Sequence, residues 1–359
     1  MGSVKDLEIY EEATENRLGM GDFVFSDRFS VFDWGEMPDC IPNKGAALCL
    51  MAAWNFEMLN EQGFCSHYLG VINSDDEQVD LNDLDCITNK MSISLSRVVK
   101  PSFYNGLFDY SYFINRRGKI NNFVIPLEVI YRTGAPKGSS LFRTIEELEK
   151  VGKTEDLHQF LARYGLLSKP KTGDLFPKIG YDFTTKFEPS DRIIDEEEAY
   201  RISGLTQSQF MQLKELRYKA IKIVSKRTKE VGLIDYDGKH EYRLFNGNVE
   251  IADVFGTLDE NRFVFNGRQV SKEFLRQIYR REQREWVEDT VRAKVEAKEK
   301  GIENWKVLIN FQPEKLEPKL IRLVSEMYTS TAQRYTGINL FGARDLEKVM
   351  KDLEPFYSD

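Results

Sequence analysis

The chain has 359 residues, of which 41% are hydrophobic and 30% are charged, and this balance excludes a disordered protein. Its net charge of −8 argues against nucleic acid as a partner, because nucleic-acid-binding proteins carry a basic surface. No apolar run approaches the roughly 18 residues of a membrane span, and the first residues lack a signal peptide. We therefore expect a cytoplasmic protein with neither a membrane nor a nucleic-acid partner.

All the cysteines lie in the first quarter of the chain, at Cys40, Cys49, Cys65 and Cys86. They form no C-x-x-C pair, so we expect reduced and mostly buried thiols rather than a zinc site. The length favours two domains. Nothing in the residues fixes the oligomeric state, and a homo-oligomer is compatible with them.

The N-terminal third is predicted to be rich in strands. Apolar runs separated by polar turns predict strands before residue 35, and the pattern becomes helical from Pro42 to Gly63. Later apolar segments predict strands near residues 68–72, 92–99 and 122–131, followed by a Gly/Pro/Lys loop at 132–140. We predict a mostly antiparallel β lobe over residues 1–125, with the helix outside its sheet.

Helical patterns dominate the rest of the chain. An aperiodic segment at 173–191 is expected to be irregular, and a well-marked helix begins at Thr206, which forms a capping box with Gln209. Further helices are predicted near residues 272–300 and 318–335. The whole pattern predicts an α+β fold with two lobes, the second of which covers residues 126–359.

Residues 233–265 predict a β-hairpin around an Asn-Gly turn. Glu241 and Asp253 lie equally far from the middle of that turn. A two-residue loop would place their carboxylates on opposite faces of the sheet, whereas a three-residue loop ending at Asn248 would bring them opposite each other. We predict the longer loop, or a bulge with the same effect, and both carboxylates on one face, because Asn tolerates the left-handed conformation that the third loop position needs.

Two groups of residues suit phosphate chemistry. The paired carboxylates would repel each other by roughly 0.2–1 kcal/mol, and a Mg²⁺ ion carrying phosphate groups would relieve that repulsion beside Lys239. The loop at 132–140 offers Arg132, backbone N–H groups near Gly138 and the Ser139 hydroxyl to an anion. A solvated acidic pair and a basic turn are the ordinary alternatives. The residues alone indicate a Mg-nucleotide or phosphate enzyme of unknown reaction.

Several segments resemble, in order, motifs of the SAICAR synthetase (phosphoribosylaminoimidazole-succinocarboxamide synthase) family. They span about residues 2–290 and are "SDRFSVFD", "IPNKGAALCLMAAWNFEML", "IPLEVIYR", "FTTKFEPSD", "DGKHEY", "ADVF", "DENRF" and "REWV". The short start and the extended C-terminus are most similar to the archaeal form. The resemblance implies a two-lobed fold and an ATP-dependent ligase of purine biosynthesis. Its substrates would be L-aspartate and the aminoimidazole ribonucleotide CAIR, joined through an acyl phosphate.

The resemblance also implies the nucleotide site. Glu241 and Asp253 would hold Mg²⁺, and Lys5, Lys186 and Lys239 would contact ATP. Lys239 would also be catalytic. The N-terminal lobe would cover the nucleotide.

The other substrates receive implied sites as well. CAIR would meet Glu128 at its base end and Arg132, Ser139 and Arg262 at its phosphate. Arg284 would bind L-aspartate, and Asp33 would lie at the substrate cleft. Glu128 and Asp33 would, with the lysine, form the catalytic group.

The chain departs from the family pattern at several positions. Ser3 replaces a family lysine, Ser190 stands where the family usually has histidine, and Tyr242-Arg243 replaces Phe-Gly. These departures leave two alternatives open: a non-catalytic nucleotide-binding paralogue, and a ligase with a different amine or acid. The retained carboxylate pair favours the ligase, because a pure binding protein needs no metal pair.

Overall fold

The computed structural model describes residues 4–104, 107–188 and 191–357. Ser3 and Ser190 therefore lie outside the described residues. An antiparallel sheet near the N-terminus has the order β1-β2-β5-β3-β4. Its strands are β1 (Lys5–Glu11), β2 (Gly19–Phe25), β3 (Tyr68–Ile72), β4 (Gln78–Val79) and β5 (Lys90–Leu95). The predicted antiparallel sheet is confirmed, although residues 26–35 form an irregular loop rather than a strand.

A second antiparallel sheet follows a short hairpin of β6 (Ser102–Tyr104) and β7 (Leu107–Asp109). Its strands are β8 (Phe123–Gly134), β9 (Leu175–Thr185), β10 (Ile193–Ile194), β11 (Leu233–Phe245), β12 (Asn248–Ala252), β13 (Asn261–Phe265) and β14 (Arg268–Gln269). The order is β10-β9-β8-β11-β13-β14, and β12 pairs with β11. Strand β9 occupies the segment predicted to be irregular. That prediction was wrong, because β9 is held by pairing with β8 rather than by any local pattern.

The helices cover the two sheets. They are α1 (Lys44–Glu61), α2 (Ser111–Asn115), α3 (Ser140–Lys150), α4 (Thr154–Ala162), α5 (Glu196–Ile202), α6 (Gln207–Glu230), α7 (Lys272–Glu282), α8 (Arg284–Lys300), α9 (Pro318–Thr336) and α10 (Leu346–Leu353). The capping box that begins α6 at Thr206 is confirmed. Within the described ranges, no helix has both the length and the apolar character to cross a membrane.

Helix α1 lies at the centre of the hydrophobic core. It packs against β2, β3 and β5 of the first sheet and also contacts α6 and α9, so it lies outside the sheet but is itself enclosed by helices. One continuous set of buried side chains includes Ile93 of β5, Phe56 of α1, Ile251 of β12 and Met327 of α9. The two sheets therefore share a core, and the lobe boundary at residue 125 stays a prediction.

The cysteines are free thiols, as expected. Cys49 is buried under β5, with its Sγ atom 3.6 Å from the Lys90 carbonyl oxygen. Cys40 and Cys65 are exposed and Cys86 is partly exposed. The expectation of mostly buried thiols was therefore wrong.

The β11–β12 hairpin has a two-residue loop. Phe245 pairs with Asn248, and Asn246 and Gly247 have φ angles of 47° and 82°. Two successive positive φ values define the type I′ turn, whose twist matches that of the strands and for which Asn-Gly is the preferred sequence. Glu241 consequently lies opposite Ala252. The predicted three-residue register was wrong, because the Asn-Gly preference for the shorter loop prevails.

We expect Gly247→Ala to lower the free energy of unfolding by about 1 kcal/mol or more, because alanine is strained at a positive φ. Asn248→Ala, at the adjacent exposed strand position, is the control and should change stability by less than about 0.5 kcal/mol. Urea unfolding of both variants measures the difference. Equal effects of the two substitutions would contradict the assigned turn.

Candidate active site

One face of the second sheet gathers charged side chains. Residues that pair across antiparallel strands share a face, and β8 and β11 pair Glu128 with Glu241 and Arg132 with Asp237. Lys239 lies between those two β11 residues and shares their face, because side chains alternate along a strand. The residues that alternate with them along the two strands are buried in the core, and they include Val129, Tyr131, His240 and Tyr242. The sheet register therefore places the charges on one surface.

At one end of this face lies a lysine–carboxylate cluster, formed by Lys5, Lys186, Lys239, Glu128, Glu241, Asp253 and Glu260. The Lys239 Nζ atom is 2.9 Å from Glu128 Oε1, 3.2 Å from Glu241 Oε1 and 3.8 Å from Glu260 Oε2. Lys186 forms an ion pair with Glu241. Glu260 was not predicted from the sequence, although it lies two residues before Arg262 in the "DENRF" segment.

The first sheet contributes Lys5, which forms an ion pair with Asp253. Asp253 directly follows β12 and has a φ of 59°, so the alternation of side chains along the strand ends there. Its carboxylate interacts electrostatically with Glu241 and with all three lysines of the cluster. Both carboxylates therefore face the same cluster despite the shorter loop. Their expected repulsion is offset by lysines.

The carboxyl groups of the cluster differ in pKa and therefore in protonation state. Burial and the Asp253 charge raise the pKa of Glu241, but Lys239 and Lys186 more than reverse this, and the net pKa is lowered. Burial also raises the pKa of Asp253, but Lys5, Lys186 and Lys239 outweigh it, and the net pKa falls below its usual value. At Glu128 burial dominates, Lys239 offsets it only in part, and the pKa rises to about 7. Near neutral pH Glu241 and Asp253 are therefore anionic, whereas Glu128 titrates.

An arginine cluster lies further along β8. The Arg132 Nε atom is 3.1 Å from Asp182 Oδ2, and its Nη1 atom is 3.5 Å from the Ser139 hydroxyl oxygen. The Nη1 atoms of Arg132 and Arg262 lie 3.7 Å and 2.7 Å from the same Asp237 oxygen. The structure therefore brings together the three residues predicted to hold the ribonucleotide phosphate.

Helix α7 adds two arginines to this cluster. Glu273, which is 1% exposed, lies 3.6 Å from Arg262 Nε, 3.2 Å from Arg276 Nη1 and 2.8 Å from Arg280 Nη1. The backbone at Gly138 passes so close that a Cβ atom there would lie 2.7 Å from Glu273 Oε1. None of these three α7 residues was predicted from the sequence. Their spacing of three and seven residues on a predicted helix was the available signal, because it places them on one face.

A cavity of about 290 Å³ adjoins the arginine cluster. Its lining includes Asp33 and Phe32 from the loop after β2, and Lys272 and Arg276 from α7. Asp33, predicted at the substrate cleft, therefore presents an anionic group to a cavity that also carries cationic groups. Arg284 is not brought to these groups. Its side chain is 78% exposed and forms an ion pair of 2.6 Å with Glu288.

The fold and this surface define a class of protein. It is an enzyme with two charged clusters on one face of a sheet, and such clusters suit substrates that carry phosphate groups. The SAICAR synthetase family model matches residues 2–293, and the chain belongs to that family. Members of the family are ATP-dependent ligases that join CAIR and L-aspartate in purine biosynthesis. The fold and the activity implied by the sequence resemblance are confirmed.

Individual relatives support the same conclusion. The chain is 41% identical over 355 residues to a protein of Archaeoglobus fulgidus with the provisional name phosphoribosylaminoimidazole-succinocarboxamide synthase, and the match covers 99% of both chains. It is 32% identical over 266 residues to the phosphoribosylaminoimidazole-succinocarboxamide synthase of Thermoplasma volcanium, covering 72% of this chain and 77% of that one.

Solved structures share the fold at low sequence identity. The SAICAR synthase of Saccharomyces cerevisiae, complexed with SAICAR, is similar with a TM-score of 0.59 and 18% identity, covering 94% of each chain. A SAICAR synthetase in complex with ADP has a TM-score of 0.52 and 18% identity, covering 77% of this chain and 88% of that one.

We expect Glu128 and Glu241 to give opposite pH dependences of stability. The raised pKa of Glu128 stabilises the fold below about pH 4.5, and this contribution is lost as the pH rises through about 7. The stability difference between wild type and Glu128→Gln should therefore fall by about 2 kcal/mol between pH 5 and 8.

Glu241→Gln serves as the comparison. The lowered pKa of Glu241 means that its contribution is complete above about pH 4.5 and is lost only as the pH falls below that value. Its own ionisation should therefore add no slope between pH 5 and 8, and its stability difference should change less over this range than that of Glu128→Gln. Urea unfolding at several pH values measures both, and a flat Glu128→Gln curve would refute the raised pKa.

Proposed function

We propose that the two charged clusters divide the substrates of the family's reaction between them. ATP would bind at the lysine–carboxylate cluster, and CAIR would lie along β8 from Glu128 to the arginine cluster. The observation that carries this proposal is the shared face of β8 and β11. Glu128 and Arg132 are four residues apart on β8, which separates the two clusters by about 13 Å along the strand. We propose that the reaction takes place in the cytoplasm.

Lys5, Lys186 and Lys239 would bind the nucleotide phosphates. In the structure each lysine pairs with a carboxylate. Phosphate oxygens are competing partners for the same ammonium groups, so nucleotide binding would exchange one anion for another. The first sheet would thereby cover the nucleotide, because Lys5 reaches the cluster from β1.

Glu241 and Asp253 fit the hard-cation chemistry of Mg²⁺. Both are ionised carboxylates, and Mg²⁺ is usually held by one or two carboxylates plus phosphate oxygens and water. In the described part of the chain, no group of three or more His, Cys, Asp and Glu side chains could enclose a metal by itself. The remaining ligands would therefore come from the nucleotide and from water. Bound Mg²⁺ would neutralise charge on the phosphates during transfer.

The CAIR carboxylate must be activated before an amine can displace one of its oxygens, because that oxygen is a poor leaving group. Phosphoryl transfer from ATP to this oxygen would give an acyl phosphate and ADP. Arg132, Arg262 and Ser139 would fix the ribonucleotide phosphate, and Glu128 would lie beside its base. The aspartate ammonium group would first lose a proton, and attack of the resulting amine on the acyl carbon would then form the amide bond and release phosphate.

We propose that L-aspartate binds in the cavity beside Asp33. An amino acid with two carboxylates needs cations for those groups and an anion for its ammonium group. Lys272 and Arg276 supply the cations there, and Asp33 supplies the anion. The alternative, Arg284, lies on an exposed helix face with Glu288 as its partner.

We expect the purified protein to release phosphate from ATP only when both CAIR and L-aspartate are present. Replacing L-aspartate by L-glutamate or L-asparagine tests which amine substrate the protein uses. Phosphate release without dependence on any amine, or nucleotide binding with no turnover, would contradict the proposed function. Turnover with another amine, and none with L-aspartate, would show that the amine substrate is a different one.

We expect Arg262→Ala to raise the KM for CAIR about tenfold or more. The charged hydrogen bonds that it removes typically contribute about 1.5–3 kcal/mol. The KM for ATP should change little, because Arg262 contacts Asp237 and Glu273 and not the lysines. Arg268→Ala, in the following hairpin, is the control. A change in the KM for ATP with CAIR unaffected would show the assignment to be wrong.

Arg276→Ala and Arg284→Ala decide between the two aspartate sites. We expect the first to raise the KM for L-aspartate about tenfold, since it removes a charged contact, and the second to leave it nearly unchanged. Steady-state kinetics with aspartate varied at saturating ATP and CAIR measures both. The reverse result would restore Arg284 as the aspartate ligand.

A further inference from the structure

The loop that carries Asp33 has an unusual backbone. Phe32 and Asp33 have φ angles of 54° and 58°, and Gly35 has a φ of 93°. A left-handed conformation is uncommon for a residue with a side chain, and two such residues in succession persist only where neighbouring groups fix them. Residues 32–35, here called the Asp33 loop, therefore need a brace.

Lys294 of α8 supplies a contact to each of these two residues. Its Nζ atom donates a hydrogen bond of 2.8 Å to the Phe32 carbonyl oxygen. The same atom lies 2.5 Å from Asp33 Oδ2. One ammonium group therefore holds both the backbone and the side chain at the point where the chain turns left-handed.

Aromatic side chains hold the rest of the loop. The ring centroid of Trp286 lies 5.8 Å from that of Phe32 and 5.6 Å from that of Trp34. Trp305 lies 6.0 Å from Trp34, and the Lys294 ammonium group stands 5.0 Å from the Trp305 ring. The brace is thus built from α8 and the short helical segment Trp305–Leu308 that follows it.

The brace determines where a charged group of the cavity lies. Asp33 lines the cavity with Lys272 and Arg276, and its side chain is 86% exposed, so few other contacts restrain it. Lys294 and Trp305 lie beyond residue 293, where the match to the family model ends. Groups from α8 and from the segment Trp305–Leu308 therefore shape the rim of the cavity.

We propose that Lys294 is a positioning residue, which holds the Asp33 loop in the conformation that presents the Asp33 carboxylate to the amine of the substrate. The proposal rests on the proposed function, because it takes the cavity as the amine site. Exposed ion pairs contribute little to stability, so the protein should fold without this one. Loss of Lys294 should instead move the loop.

Kinetics and fluorescence test this role together. We expect Lys294→Ala to raise the KM for L-aspartate about tenfold, with the KM values for ATP and CAIR within about twofold of wild type. Lys294→Arg keeps the charge and donor groups and should restore most of the aspartate affinity. Lys298→Ala is the matched control, because Lys298 is an exposed lysine on the same helix and pairs with no carboxylate in the described residues.

Tryptophan quenching reports the loop independently of catalysis. We expect Lys294→Ala to make the tryptophan fluorescence more accessible to acrylamide, and the increase to become smaller when Trp34→Phe is also present. Unchanged quenching, or increased quenching with an unchanged KM for aspartate, would overturn the positioning role. A wild-type protein without aspartate-dependent phosphate release would refute the proposed function, and the quenching result would still decide whether Lys294 holds the loop.

Discussion

The structure depends on ion pairs that keep carboxylates charged inside the protein. Glu241 is buried and Asp253 is partly buried, and transferring an ion from water into a protein interior costs several kcal/mol unless a partner of opposite charge is present. Their partners, Lys5 and Lys186, come from β1 and from the end of β9. The same ion pairs therefore stabilise both the candidate active-site surface and the contact between the two sheets. They also explain why the carboxylate pair is stable before any cation is bound.

A second buried ion pair fixes the segment that joins the two clusters. The Lys44 Nζ atom lies 2.8 Å from Asp259 Oδ2, with the two side chains 0% and 4% exposed. Burial raises the pKa of Asp259, but Lys44 and Lys272 lower it more, to about 2. Asp259 also accepts a hydrogen bond of 2.9 Å from the Tyr328 hydroxyl. Helices α1 and α9 are thereby tied to the chain immediately before Glu260 and Arg262, which serve the two clusters.

Much of this arrangement could be predicted from the sequence where the signal is local. The capping box at Thr206 marked the start of α6, and the motif order identified the residues that line β8 and β11. Strand β9 and the enclosure of α1 could not be predicted, because they depend on pairing and packing with segments distant in the chain. The position of Asp253 depends on one left-handed residue after β12, which strand alternation does not reveal. Arg284 was chosen from its motif, whereas the cationic groups at the cavity are on α7.

The central claim is that the lysines of the lysine–carboxylate cluster exchange carboxylates for nucleotide phosphates. A crystal structure with Mg²⁺ and a non-hydrolysable ATP analogue tests it most directly. The account predicts that Lys5 and Lys186 turn from Asp253 and Glu241 to phosphate oxygens, and that the two carboxylates contact the cation directly or through water. A nucleotide bound elsewhere, with both ion pairs intact, would contradict it.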